Sequence, residues 1–272
     1  MTENTRKSSQ IPRVLAIAGS DSCGGAGIQA DIKTATALGA YAMTAITAIT
    51  AQDTTGVHAV QLIPPELVRA QIVACLDDIG ADAIKIGMLG SGEIVSAVAD
   101  ALRDRARNIP IVLDPVLVST SGTPLLDGNG IRLLCEQLVP LVTLVTPNIP
   151  ELAVLSSNGR ADALLALGAR AVLVKGGHAD GEIVTDVLHR RGAVSRIERP
   201  RIGTRHTHGT GCTYAMAIAV ELAKGGSLDK AVFRARNYVQ AAIASAPDFG
   251  RGHGPLNHMH EIHDRSVERD RR

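Results

Sequence analysis

Aromatic side chains are nearly missing from this chain: two Phe, three Tyr and no Trp among 272 residues. That argues against stacked platforms for single-stranded nucleic acid. An excess of one charge is missing as well. Lys and Arg number 28 against 27 Asp and Glu, for a formal net charge of +1, so no field for a polyanion or a membrane surface is expected. The four cysteines, Cys23, Cys75, Cys135 and Cys212, form no Cys-x-x-Cys pair. A zinc finger or redox motif is therefore not suggested, and the wide spacing reads as reduced thiols in the cytoplasm. No apolar run reaches the roughly 18 residues of a membrane span. The polar start, MTENTRKSSQIP, lacks the apolar segment of a signal peptide. Flexible tails are expected over 1–12 and 261–272, with a single domain over 13–260.

What the chain has in quantity is Ala, Val, Leu and Ile in short runs that alternate with amphipathic stretches. RVLAIAG (13–19), AMTAITAIT (42–50), VHAVQLI (57–63), DAIKIG (82–87), IPIVLD (109–114), LVTLVT (141–146) and RAVLVKGG (170–177) read as strands. Residues 26–40 and 65–80 read as helices, the second opened by proline and closed by glycine. Residues 182–200 read as a hairpin turning near Arg191-Gly192, followed by helices over about 209–224 and 227–246. This alternation predicts an α/β fold with a mostly parallel central sheet and helices on both faces.

In open sheets of this kind ligands bind beyond the carboxyl ends of the strands. Six predicted strand ends carry small or polar groups: Gly19-Ser20-Asp21, Gln52-Asp53, Gly87-Met88, Asp114-Pro115, Thr146-Pro147-Asn148 and Lys175-Gly176-Gly177-His178. Together they favour an enzyme over an inert scaffold.

Four constellations stand out. Gly209-Thr210-Gly211-Cys212 enters a long apolar helix, and its uncovered N–H groups suit an anion such as phosphate. The bland reading is a tight loop with Cys212 as a small core residue. A thiol at a helix N-terminus is expected to have a depressed pKa, which would make Cys212 a base or nucleophile. Gly25-x-Gly27-x-x-Ala30 matches a dinucleotide fingerprint, but it lies too far from its strand and lacks the acidic residue that should follow. A glycine-rich lip against a small substrate fits better. In the helix after it, Asp31 falls inside the apolar stripe of Ile28, Ile32, Ala35 and Leu38. A carboxylate there needs a partner, either a substrate or backbone N–H groups. Finally, Asn148 and Glu151 have the spacing of a capping box. They could equally stand near a hydrated Mg²⁺ and nucleotide phosphates. The pairs His206/His208 and His258/His260 have metal-like spacing but no evident third ligand.

The segments AIAGSDSCGGAGIQADIKT, ITAQDT, IKIGML, LDPV, TSGTPLL, TPNIPE, VLVKGGH and HGTGCT occur in this order over residues 14–213. In that order the chain resembles the hydroxymethylpyrimidine/phosphomethylpyrimidine kinases of thiamine biosynthesis, within the ribokinase superfamily. The resemblance implies a ribokinase-like fold, ATP, Mg²⁺ and two successive phosphorylations of 4-amino-5-hydroxymethyl-2-methylpyrimidine. It implies that Gln52 hydrogen-bonds the aminopyrimidine, with Gly19, Asp31 and Met88 in the same pocket. Asn148, Glu151 and Lys175 then fall on the nucleotide side, with Asp114, Asn148 and Glu151 near the metal. Gly209, Thr210, Gly211 and Cys212 become the catalytic anion hole, with Cys212 as base. A homodimer is also suggested by the resemblance alone. Two departures are visible: a shortened segment over 156–170, and His206 where asparagine is common. The alternatives are a pyridoxal kinase of the same superfamily, a dinucleotide-dependent oxidoreductase, and a silent sensor on the same fold.

Overall fold

The computed structural model describes residues 11–262 apart from 120, 121, 157 and 261. The expected tails and the first two residues of TSGTPLL thus lie almost wholly outside the described residues. The chain opens with β1 (Arg13–Asp21), α1 (Gly27–Ala37), β2 (Tyr41–Asp53) and β3 (Gly56–Leu62). Next come α2 (Pro65–Asp78), β4 (Ala83–Ile86), α3 (Gly92–Arg105), β5 (Ile111–Leu113) and α4 (Gly128–Leu133). After these run β6 (Leu144–Val145), α5 (Ile149–Leu155), α6 (Ala161–Ala166) and β7 (Ala171–Val174). The hairpin β8 (Ile183–Arg190) and β9 (Ala193–Pro200) precedes α7 (Thr210–Ala223) and α8 (Leu228–Ala244).

All nine strands join one sheet in the order β3-β2-β1-β4-β5-β6-β7-β8-β9. From β2 to β7 the neighbours are parallel, while β3, β8 and β9 pair antiparallel at the two edges. The order reverses beside β1, the place where such sheets open a ligand crevice. Period-two alternation divides the buried strands between two cores. In β1, Leu15 and Ile17 face the helices α2, α3, α5 and α6, whereas Val14 and Ala16 face α1, α7 and α8. The helical layers therefore sit on both faces, as the alternation predicted.

The sequence expectations overshot several boundaries. The strand expected over 141–146 shortens to Leu144–Val145, because a tight helical turn at Val139–Leu141 uses up the first residue. Strand β7 ends at Val174, Lys175 follows it, and the next three residues form a single 3₁₀ turn. The shortened segment still supplies the crossover from β6 to β7 through α5 and α6. In α1 the buried face is Ile28, Ala30, Asp31, Thr34 and Ala35. Ile32, expected in the apolar stripe, is exposed, so the true face is rotated toward Asp31 and Thr34.

Candidate active site

A cavity of about 460 Å³ opens at the carboxyl ends of the parallel strands. All six strand ends singled out by sequence reach its lining, through Gly19–Asp21, Gln52, Met88, Asp114, Asn148 and Lys175 with Gly177 and His178. The first three groups come from β1, β2 and the loop after β4, and the rest from β5, β6 and β7. The Gly209–Cys212 turn lines the same cavity and spans the two groups. Gly209 packs so closely on the Gly25 carbonyl that a Cβ would collide with it, and its φ of +81° favours glycine in any case. A Cβ on Gly211 would sit 3.2 Å from Lys175 Nζ and 3.3 Å from Asp114 Oδ2.

No side chain caps α7. Thr210 N donates to Thr207 O at 3.2 Å, but a helix offers its own first-turn amides no acceptor, so those of Gly211 and Cys212 are left for a ligand. The helix dipole adds positive potential at the same place. By contrast, α5 is fully capped. Asn148 Oδ1 accepts from Glu151 N and Glu151 Oε2 accepts from Asn148 N, both at 2.8 Å. The capping box and the cavity position, weighed against each other in the sequence, coexist. Asn148 Oδ1 accepts one bond in the cap and keeps a second lone pair.

Beside this cap, Lys175 Nζ donates to Asp114 Oδ1 at 2.6 Å and lies 3.9 Å from Glu151 Oε2. Burial pushes the Glu151 carboxyl up to about 7, and Lys175 only partly opposes it. Burial works against the charge on Lys175, yet Asp114 and Glu151 outweigh it and raise its pKa. The wall thus holds a firm cation between two carboxylates, one of them easily protonated.

Two sequence expectations need correction. Asp31 is expected among the pocket residues, but it is 0% exposed, off the cavity lining, and meets neither a substrate position nor a row of backbone amides. Its Oδ2 pairs instead with Lys85 Nζ at 2.8 Å, and Lys85 in β4 is equally buried. Burial raises the Asp31 carboxyl to about 6 despite this partner. A lysine inside the apolar run AIKIG was the available signal, since a buried charge requires an opposite one. The second correction concerns Cys212. Burial pushes its thiol up to about 11, against the pull of Lys85 and the Gly27 amide. The helix N-terminus was expected to depress it, but desolvation of the thiolate is the larger effect here.

Further polar residues line the cavity beyond those assigned to it from sequence. His208 Nε2 lies 2.8 Å from Asp21 Oδ2 and 3.3 Å from Gln52 Nε2, so all three form one polar wall. The opposite wall comes from the hairpin, α7 and α8, with Asp186, Tyr214 and Arg236 among its lining groups. His206, one of the two departures, turns away to pair with Asp248 at 2.6 Å.

The family model for phosphomethylpyrimidine kinase matches residues 21–257. The chain belongs to the phosphomethylpyrimidine kinase family. The hydroxymethylpyrimidine/phosphomethylpyrimidine kinase of Rhizobium meliloti is 46% identical over 258 residues, covering 90% of this chain and 96% of that one. The thiamine biosynthesis bifunctional protein ThiED of Geobacter sulfurreducens is 47% identical over 90% of this chain, which spans 52% of that longer relative. Among solved structures, the pyridoxal kinase of Staphylococcus aureus in complex with ADP superposes with a TM-score of 0.84 at 34% identity, over 92% of this chain and 94% of that chain. The ribokinase-like fold follows directly. The uncapped α7 turn stands between the wall of Asp21, Gln52 and His208 and the wall that holds Lys175 beside Asp114 and Glu151.

Proposed function

We propose that this protein is an ATP-dependent kinase acting twice on 4-amino-5-hydroxymethyl-2-methylpyrimidine, first at the hydroxymethyl oxygen and then at the resulting phosphate. The product is the diphosphate used in thiamine biosynthesis. One observation carries the reading: the Gly209–Cys212 turn touches the Gly25 loop at one end and the Asp114–Lys175 pair at the other. A phosphoryl group crossing from nucleotide to pyrimidine meets the first-turn amides of α7 midway.

Gln52, in reach of His208, presents an amide that can match the donor–acceptor edge of an aminopyrimidine. Gly19 lets the Met88 side chain pack closely beside it in the same pocket, since a Cβ there would sit 3.0 Å from Met88 Sδ. On the other side Lys175 neutralises phosphate charge. The oxygens of Asp114 and Glu151 suit Mg²⁺, which keeps several waters and asks for few carboxylates. When bound with the nucleotide, the metal would neutralise charge on the transferring phosphate. Added positive charge beside Glu151 ionises it. The ADP complex of the Staphylococcus aureus relative supports ATP use. The four unpaired cysteines suit a reducing cytoplasm, and none of the described helices is long and apolar enough to cross a membrane.

Cys212 enters the reaction protonated. Burial pushes the thiol's pKa up to about 11, which disfavours its ionisation at neutral pH. Catalysis then rests on position and electrostatics, which suffices for a loose phosphoryl-transfer transition state. The thiol packs under the acceptor oxygen rather than drawing off its proton.

The test is an ATP- and Mg²⁺-dependent assay with the hydroxymethylpyrimidine, products resolved by mass and pyridoxal run in parallel. Monophosphate followed by diphosphate is expected. Turnover of pyridoxal alone would move the assignment to that branch of the superfamily.

A further inference from the structure

Among the described residues, one group of Cys, His and carboxylate side chains has the spacing of a metal site: Asp21, Cys23 and His208. Their donor atoms lie within 4.8 Å of one another. The group unites the glycine-rich loop after β1 with the residue preceding the α7 turn. Of the His206/His208 pair noted in sequence only His208 takes part, since His206 pairs with Asp248.

The arrangement is built from several sides. Asp21 Oδ1 accepts from Cys23 N at 2.8 Å, and Oδ2 accepts from Gly25 N at 3.1 Å and Ala26 N at 2.8 Å. These amides fix the carboxylate as outer-shell partners fix a metal ligand, and Oδ1 keeps a lone pair free. His208 is buried, and its ring fits only because position 25 is glycine. Cys23 is half-buried on the loop, with a thiol that no catalytic argument uses. Burial, with the Asp21 charge, holds that thiol protonated.

We propose that Asp21, Cys23 and His208 bind a thiophilic divalent cation, with Zn²⁺ the best match, at the rim of the cavity wall shared with Gln52. One sulfur, one imidazole nitrogen and one carboxylate oxygen are the ligand set of an open tetrahedral zinc site. Mg²⁺ prefers oxygen ligands and keeps its water, so the kinase's working metal does not compete well there. Zinc–ligand bonds of about 2.0–2.3 Å call for donor separations of about 3.3–3.8 Å, so the donors close in from within 4.8 Å while the 2.8 Å Asp21–His208 contact widens as the ion enters. The exchange balances. The Cys23 proton leaves to solvent as the thiolate–metal bond forms. The His208 proton shifts from Nε2, where it bonds Asp21, to Nδ1, and the Nε2 lone pair goes to the metal. The Asp21–His208 hydrogen bond is replaced by two bonds to the ion, and the fourth ligand position is left to water. The ion then crowds Gln52 and inhibits the enzyme in competition with the pyrimidine. This last consequence rests on the pyrimidine reading of the cavity, whereas the binding itself does not.

Full-length protein is to be dialysed against Zn²⁺ in chelator-free buffer and the bound metal counted, with Co²⁺ as spectroscopic probe. One ion per chain is expected, with tetrahedral d–d bands and a thiolate-to-cobalt charge-transfer band. Cys23→Ser is expected to abolish the charge-transfer band, weaken Zn²⁺ by at least about 10-fold and leave zinc-free turnover unchanged. Cys212→Ala is expected to keep the band. Equal zinc affinity and spectra in Cys23→Ser and the parent would overturn the proposal, as would a band lost only with Cys212. Zinc binding that needs Cys23 but does not inhibit would leave the metal site standing and contradict the pyrimidine placement instead.

Discussion

Two lysine–aspartate pairs flank the start of α7, alike in chemistry and unlike in access. Lys85 and Asp31 meet at 2.8 Å with both side chains 0% exposed. Lys175 and Asp114 meet at 2.6 Å, but Lys175 remains 13% exposed and opens on the cavity. The sealed pair has given up water on all sides and can touch no ligand. Its charge still acts on Cys212 and Asp114 from below. The open pair can trade an Asp114 contact for a phosphate contact. Solvent access separates the two: one pair is sealed beneath the cavity, and the other faces it.

The sharpest break in this comparison comes from removing each lysine. Lys85→Met leaves Asp31 buried without a partner, and a loss of about 3–5 kcal/mol in unfolding free energy is expected by denaturant titration. Adding Asp31→Leu should recover most of it, because a buried pair replaced by apolar groups costs little. Lys175→Met should behave in the opposite way. Turnover is expected to fall on the order of 10²–10³-fold in a steady-state assay, with a much smaller change in unfolding midpoint than Lys85→Met.

A third expectation probes the support beneath α7. His258 is buried and its Nε2 lies 3.0 Å from Thr213 Oγ1 in the first turn. Burial lowers its pKa from 6.5 to about 4. Between those values the unfolded chain binds the proton and the folded one does not. Stability is therefore full above about pH 6.5 and is lost as pH falls toward 4, by up to ~3 kcal/mol. Denaturant titrations of the parent and His258→Gln across this window should differ in slope, the variant being flatter.

The smallest effect is expected at Cys212. With a protonated thiol acting by position, Cys212→Ala should slow both phosphorylations on the order of 10-fold and by similar factors. A loss confined to the first step, read from product masses, would restore the base role.

The contrast between the pairs also shows how far sequence reading reaches. The strand ends were legible because a parallel sheet sends every carboxyl end to one rim, so Gln52, Asp114 and Lys175 could be placed from the alternation alone. Asp31 was legible as a buried charge, but its partner stands 54 positions away on another element, and only the β1–β4 pairing brings them together. The Cys212 thiol was read from the local helix dipole, while its burial in the folded chain, which local spacing does not report, is the larger effect. The far wall went unseen for a simpler reason. Asp186, Tyr214 and Arg236 belong to an ordinary hairpin, the buried helix α7 and the amphipathic helix α8, with no motif to single them out.

Amine labelling read by peptide mass mapping tests the central distinction most directly. Native protein is treated with a lysine-acylating reagent with and without ATP and Mg²⁺, and modification is quantified at both lysines. The account predicts slow modification of Lys175 that the nucleotide suppresses, and none at Lys85 in either condition. Comparable labelling of the two lysines, or labelling of Lys175 indifferent to nucleotide, would contradict it.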